Sequence, residues 1–271
     1  MPHWQFFVRY YDQSHRDLGS RPVKSNREWI QWGKSDPLFG VASWPGRERG
    51  GVQEWTDEEF YQLGKSDWSD FMSRWVVYGV DTSSCLEIGS GAGRLTKHMA
   101  TTFGHVYAID VSVEMLDYAK RNIVAENVTF MVTDGLDLHV DDGSVAAVFS
   151  AHVFQHFNSL SDASSYFKEI ARILAPRGSV MIHLPIHVFP PGTIGMRLLY
   201  TARRDLGKLT ITYKGLIARL GLASPLMRGL SYEMSWLLNL LRHLGLTDVE
   251  FAFFPVSAND SLHSFIFARK R

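Results

Sequence analysis

Between Ser83 and Leu184, short apolar runs alternate with helix-length stretches, and this alternation constrains the fold more than any other feature of the chain. The runs are Cys85–Ile88, 106–109, Val128–Val132, Val145–Ser150 and 179–184. Stretches 94–102, 113–124 and 161–174 read as helices, the last stopped by Pro176 and Gly178. Strands buried on both faces read as nearly continuous apolar runs, and strands separated by helices pair in parallel. The expected fold is therefore α/β, with five parallel strands and helices on both faces. A helix over 232–244 with Gly245 at its cap follows, and 249–254 and 261–268 suit a closing antiparallel pair.

The 271 residues allow one large domain or a core with an appended part. Residues 1–80 read as an irregular and helical cover, and 81–271 as the sheet domain with an insertion at about 186–230. Thr56 and Glu59 form a capping box for a helix running to about Tyr78, with a break near Gly64. With 45% hydrophobic and 21% charged residues, the composition excludes a disordered chain. One cysteine, Cys85, permits no intrachain disulfide, so a reducing, cytoplasmic setting is expected. The N-terminal residues lack the apolar core of a signal peptide, and no apolar run reaches the roughly 18 residues of a membrane span.

Glu87-Ile88-Gly89-Ser90-Gly91-Ala92-Gly93-Arg94 ends the first strand and opens a helix. Glycines there let the backbone turn tightly and approach a ligand closely. Asp110 ends the next strand, where a carboxylate can accept hydrogen bonds from ribose hydroxyls. The spacing is G-x-G-x-G, not the G-x-G-x-x-G of a dinucleotide loop, and Glu87 is poor company for pyrophosphate. A cationic or amine-bearing ligand suits it better.

With Asp134-Gly135 after the third strand, these motifs resemble the class I S-adenosylmethionine-dependent methyltransferases over residues 83–184. The resemblance implies a Rossmann-like sheet, methyl transfer, S-adenosyl-L-methionine as cofactor and S-adenosyl-L-homocysteine as product. It implies that Gly89, Ser90 and Gly91, in the loop closed by Gly93 and Arg94, pass beneath the methionine part. Glu87 would hold its amino end or order the loop. Asp110 would take the ribose, with Val111 and Met115 on the adenine. Asp134, Gly135 and Leu136 would meet the adenine amino group. Ser150, Ala151 and His152 would line the methyl-transfer end. The bland alternatives are a turn aspartate for Asp134 and a core residue for Met115.

Asp36-Pro37-Leu38-Phe39, the stretch from Trp55 to Gly64 and Val153-Phe154-Gln155-His156-Phe157 are similar to a bacterial subgroup with D-P-L, W-x-x-E-E-F-[FY]-x-x-G and [VL]-L-Q-H elements. That likeness implies an N-terminal helix folded over the cofactor, with Tyr61 and Gly64 covering the methionine end. The alternative for Tyr61 is an interhelical core aromatic.

Methyl transfer is an in-line displacement, and a hydroxyl acceptor benefits from a general base, for which histidine is well tuned. His152 and His156 follow the fourth strand, and His183 and His187 flank Pro185 after the fifth. His156 is the first candidate base and His152 the second; anchoring a helix start is the alternative role for the Gln155-His156 pair. No metal is expected, because four-residue ligand spacing needs a helix, Pro185 forbids one in the second pair, and no carboxylate cluster is visible.

Charge is uneven. Residues 81–185 hold 7 Lys/Arg against 12 Asp/Glu, and 186–271 hold 11 against 5. The insertion mixes Arg197, Arg203, Arg204, Lys208, Lys214, Arg219 and Arg228 with apolar residues. Such a lid suits an anionic or lipid-linked acceptor or peripheral contact with a bilayer; its alternative is a solvated face. Nucleic acid is not expected as a partner, since no basic stripe carries stacking aromatics. The expected reaction is O-methylation of a small-molecule, saccharide, glycolipid or natural-product hydroxyl. N- or C-methylation, a non-methylating cyclase or scaffold, and a nucleotide-dependent oxidoreductase are the rivals.

Overall fold

The computed structural model describes residues 24–135, 137–188 and 230–271. In chain order they form α1 (Lys24–Ser35), α2 (Pro37–Val41), α3 (Asp57–Tyr78), β1 (Cys85–Ile88), α4 (Thr96–Met99), β2 (Val106–Asp110), α5 (Val113–Asn122), β3 (Val128–Val132) and β4 (Val145–Ser150). A 3₁₀ turn (Phe154–His156), α6 (Leu160–Ile173), β5 (Leu174–His183), β6 (Ile186–His187), β7 (Tyr232–Glu233), α7 (Met234–His243), β8 (Leu246–Pro255) and β9 (Leu262–Lys270) follow.

Seven strands join in the order β3-β2-β1-β4-β5-β9-β8. β1 to β5 pair in parallel, and β9 runs antiparallel to both β5 and β8. The order reverses between β1 and β4, so a crevice opens at their carboxyl ends, where open α/β sheets bind ligands. β1 and β4 are buried along their whole length. This accounts for their mostly apolar sequence, broken by Glu87 in β1 and by Ser150 at the end of β4.

Helix α3 is the spine of one face. Thr56 caps it through the expected capping box with Glu59, and Gly79 ends it in the left-handed region. Phe60, Gly64, Trp68, Phe71 and Trp75 recur every three or four residues, so they share one face and are buried. Phe71, wholly buried between Phe149 and Phe265, contributes roughly 2 kcal/mol by area alone. Trp75 donates its indole N–H to Ser179 Oγ at 3.1 Å, which locks the helix to β5.

Several details differ from the sequence reading, among them the following. Helix α3 runs through Gly64 without a break. The helix expected over 94–102 shrinks to Thr96–Met99, because Gly91 and Gly93 hold positive φ and Leu95 offers no side-chain cap. Leu174 leaves α6 for β5, where it pairs with Val145, before Pro176 is reached. Tyr232 and Glu233 pair with Ile186 and His187 as strands, so the helix beginning there is delayed to Met234. Most of the basic insertion, 189–229, and Leu136 lie outside the described residues.

Candidate active site

The glycine loop is squeezed from three sides. Gly89 and Gly91 have φ of +74° and +54°. A Cβ on Gly89 would lie 2.2 Å from Val153 Cγ2, and one on Gly91 2.7 Å from Val41 Cγ2. Only glycine satisfies both the left-handed backbone and that proximity. From the third side, a Cβ on Gly64 would lie 2.1 Å from the carbonyl oxygen of Arg94. Helix α3 therefore rests directly on the end of the loop. Tyr61 Oη donates to the Ala92 carbonyl at 3.0 Å, and His98 Nε2 meets the Tyr61 carbonyl at 2.8 Å.

Asp110 ties the loop to β2. Its Oδ2 accepts the Gly91 N–H and its Oδ1 the Ser112 N–H, each at 2.9 Å. Burial raises its pKa, and these backbone donors oppose the rise. Each oxygen keeps further acceptor capacity, and the residue lines the cavity described next. Glu87 lies beneath the loop. Burial pushes its pKa up to about 7, against the lowering effects of the Thr96 hydroxyl, which donates to Oε2 at 2.5 Å, and of Arg94.

A cavity of about 340 Å³ opens above the loop. Gly89, Gly91, Arg94, Asp110, Val111, Met115, Gly135, Ala151, His152 and His156 all line it. Tyr61, Glu87, Ser90, Gly93, Asp134 and Ser150 do not. Tyr61 and Glu87 support the loop as described. Ser90 is buried, and Gly93 packs under α5 against Ile123. Asp134 is exposed and caps its own turn through the Asp137 N–H. Ser150 Oγ donates to the Ile88 carbonyl at 3.0 Å, joining β4 to β1.

The structure adds residues that sequence reasoning missed. Asp67 of α3 is the first of them: it forms a buried ion pair with the expected loop residue Arg94, and both line the cavity. Arg94 Nε and Asp67 Oδ1 are each buried without a hydrogen-bond partner. One unmet cationic donor thus sits beside one unmet anionic acceptor. Helix α2, capped by Asp36 and opened by Pro37, brings Gly40 and Val41 to the wall. The D-P pair was a usable signal for that helix start. From α1, Trp29 meets the His156 ring edge-on at 4.9 Å, and Asn26 Nδ2 donates to the Asp134 carbonyl at 2.9 Å. His156 is buried in the 3₁₀ turn, its Nε2 3.1 Å from Gln155 Nε2.

The histidine pairs suggested by spacing are not the pairs the fold makes. His152, at φ +61°, His183 and His263 converge from the ends of β4, β5 and β9, with ring centroids 4.5, 4.9 and 5.0 Å apart. Burial is the main cause lowering all three pKa values, that of His183 to about 3. His187 has left for β6.

The sheet order, the glycine loop and the carboxylate ending β2 form a Rossmann-like site similar to that of S-adenosylmethionine-dependent methyltransferases. Residues 86–182 match the family described as methyltransferase domain. An uncharacterized methyltransferase of Schizosaccharomyces pombe is 30% identical over 131 residues, covering 47% of this chain and 50% of its own. The glycine/sarcosine/dimethylglycine N-methyltransferase of Actinopolyspora halophila is 26% identical over 204 residues, covering 67% of this chain and 33% of its own. The chain thus spans half or less of the length of these curated relatives. Magnesium protoporphyrin IX methyltransferase from Synechocystis PCC 6803, solved with bound SAH, shares the fold at a TM-score of 0.56 and 18% identity, over 90% of this chain and 99% of its own. Among the described residues, no helix is long and apolar enough to cross a membrane.

Proposed function

We propose that this chain is an S-adenosylmethionine-dependent methyltransferase acting on a hydroxyl of a small-molecule, saccharide or lipid-linked acceptor. The observation that carries the reading is the complementarity of one wall. Asp110 stands at the end of β2, and the unmet pair of Arg94 Nε and Asp67 Oδ1 stands beyond the glycine loop on the same cavity. A nucleoside joined to a zwitterionic amino acid matches that sequence of groups. Arg94 would hold the carboxylate, Asp67 the ammonium and Asp110 the ribose hydroxyls. Met115 and Val111 would pack on the base, and Gly89 and Gly91 would leave room for the chain between. The cofactor, when bound, supplies a methyl group on a sulfonium centre.

The protein's own residues would then do three things. Trp29, Trp44 and Val41, from the N-terminal part, line the cavity and would shield a bound cofactor from water. This strengthens the charged contacts within it. The same mixed aromatic and apolar wall suits an acceptor with an apolar body. His156, facing that space, would accept the acceptor's hydroxyl proton at a ring nitrogen as its oxygen attacks. Trp29 fixes the ring from its edge.

The experiment is incubation of the protein with methyl-labelled S-adenosylmethionine and matched panels of sugar, glycolipid and polyphenol hydroxyls alongside amines. Label in an ether product, with S-adenosylhomocysteine released, is the expected result. Label only in amine products would replace the hydroxyl assignment with N-methylation.

A further inference from the structure

We propose that His152, His183 and His263 form a binding site for one divalent zinc-class metal ion, open on the same cavity. Their donor nitrogens lie within 4.8 Å of one another. Around a tetrahedral ion, three imidazoles bound at about 2.1 Å place their ring centroids about 5 Å apart. The centroids here are 4.5, 4.9 and 5.0 Å apart. The χ2 torsion of histidine is broad, so small ring rotations bring the nitrogens to the spacing an ion demands.

The second observation is the way His263 is held. Ser261 Oγ donates to Asn259 Oδ1 at 2.5 Å, so its hydrogen is already committed. It can only accept from His263 Nε2, 2.7 Å away. That assigns the proton of His263 to Nε2 and leaves a lone pair on Nδ1. Nδ1 is buried and has no hydrogen-bond partner. A ligating histidine characteristically donates its other N–H to a fixed acceptor, which sets tautomer and ring angle. His183 Nδ1 has only the His152 N–H, at the long distance of 3.4 Å. Three imidazoles suit zinc and its neighbours, whereas magnesium and calcium require oxygen donors. With His152 and His263 on the cavity wall, an ion held there would be reached from the same cavity. The site itself does not depend on the methyl-transfer reading.

The test uses the full chain, stripped with a chelator and titrated with zinc(II) by calorimetry and with cobalt(II) by visible absorption. The expected result is one saturable ion per chain at micromolar affinity or tighter, with tetrahedral cobalt bands. His263→Ala should weaken binding at least roughly 100-fold and Ser261→Ala about tenfold, while His187→Ala should leave it unchanged. Far-UV circular dichroism and S-adenosylhomocysteine affinity of each variant separate loss of the metal site from loss of the fold or of the cofactor site. Absence of saturable cobalt binding to the unaltered protein, or binding that survives His263→Ala in a folded variant, would overturn the proposal. The cobalt spectrum of the unaltered chain decides the matter even if the variants fail to fold.

Discussion

Gly64 of helix α3 and Arg94 at the end of the glycine loop are in backbone contact, with a Cβ on Gly64 placed 2.1 Å from the Arg94 carbonyl oxygen. No side chain can yield there, because the obstructing atom is main chain. Gly64→Ala must push helix and loop apart. Overpacking of this kind costs typically 1–3 kcal/mol, which for a chain of this size lowers Tm by several degrees. The same displacement moves Arg94, so affinity for S-adenosylhomocysteine should fall about tenfold. Thermal melts and calorimetry on the variant check both, and wild-type values for both would show that helix and loop do not press on each other at Gly64.

Asp110 has two jobs that substitution can separate. Asp110→Ala removes the acceptor for Gly91 N–H and the proposed ribose contact together. Cofactor affinity should drop at least tenfold, about 1.4 kcal/mol. Asp110→Asn keeps one acceptor oxygen, so it should lose less stability while still losing affinity. An Asn variant that binds the cofactor as tightly as the unaltered protein would contradict the ribose assignment.

His156→Ala should lower kcat roughly 10²-fold or more if this ring takes the acceptor's proton. His156→Gln, which can hydrogen bond without serving as a base, should be equally slow. Full recovery of kcat by Gln, with only KM changed in Ala, would make His156 an anchor of the acceptor.

Glu87 gives the fold a pH dependence. Its neighbours are Thr96, Arg94, Asp110 and Cys85, and burial dominates, raising its folded-state pKa from the usual 4.5 to about 7. The folded chain therefore retains a proton that the unfolded chain loses near pH 4.5. Stability from this group is full below that pH, declines as pH rises, and levels off above about 7. The decline amounts to about 3 kcal/mol. Glu87→Gln keeps an acceptor for Thr96 and has no charge to desolvate, so urea midpoints of the variant should vary less between pH 5 and 8. Parallel curves for the two proteins would show that Glu87 is ionised at no such cost.

The parallel sheet was legible because burial along its whole length writes a central strand such as Val145–Ser150 as a nearly continuous apolar run, and the edge strand Val128–Val132, although only half-buried, is largely apolar too; both occur at those bounds. The capping box at Thr56 was legible because its chemistry is local. What sequence could not reveal depends on distant contact. Gly64 looked like a helix break, yet its missing side chain admits the Arg94 carbonyl while the helix continues. His152 and His156 looked like partners through spacing. Sheet order instead joins His152 to His183 and His263, which lie 31 and 111 positions further along. The Arg94–Asp67 pair was hidden for the same reason, since it spans 27 residues between α3 and the loop.

On the proposed reading, this cavity recognises a nucleoside carrying a zwitterionic amino acid. The most direct measurement is calorimetric titration of the full chain with S-adenosylmethionine and S-adenosylhomocysteine, with NAD as control. Micromolar or tighter binding of the first two is expected, with no heat from NAD. Saturable binding of NAD with none of either adenosyl compound would contradict that reading.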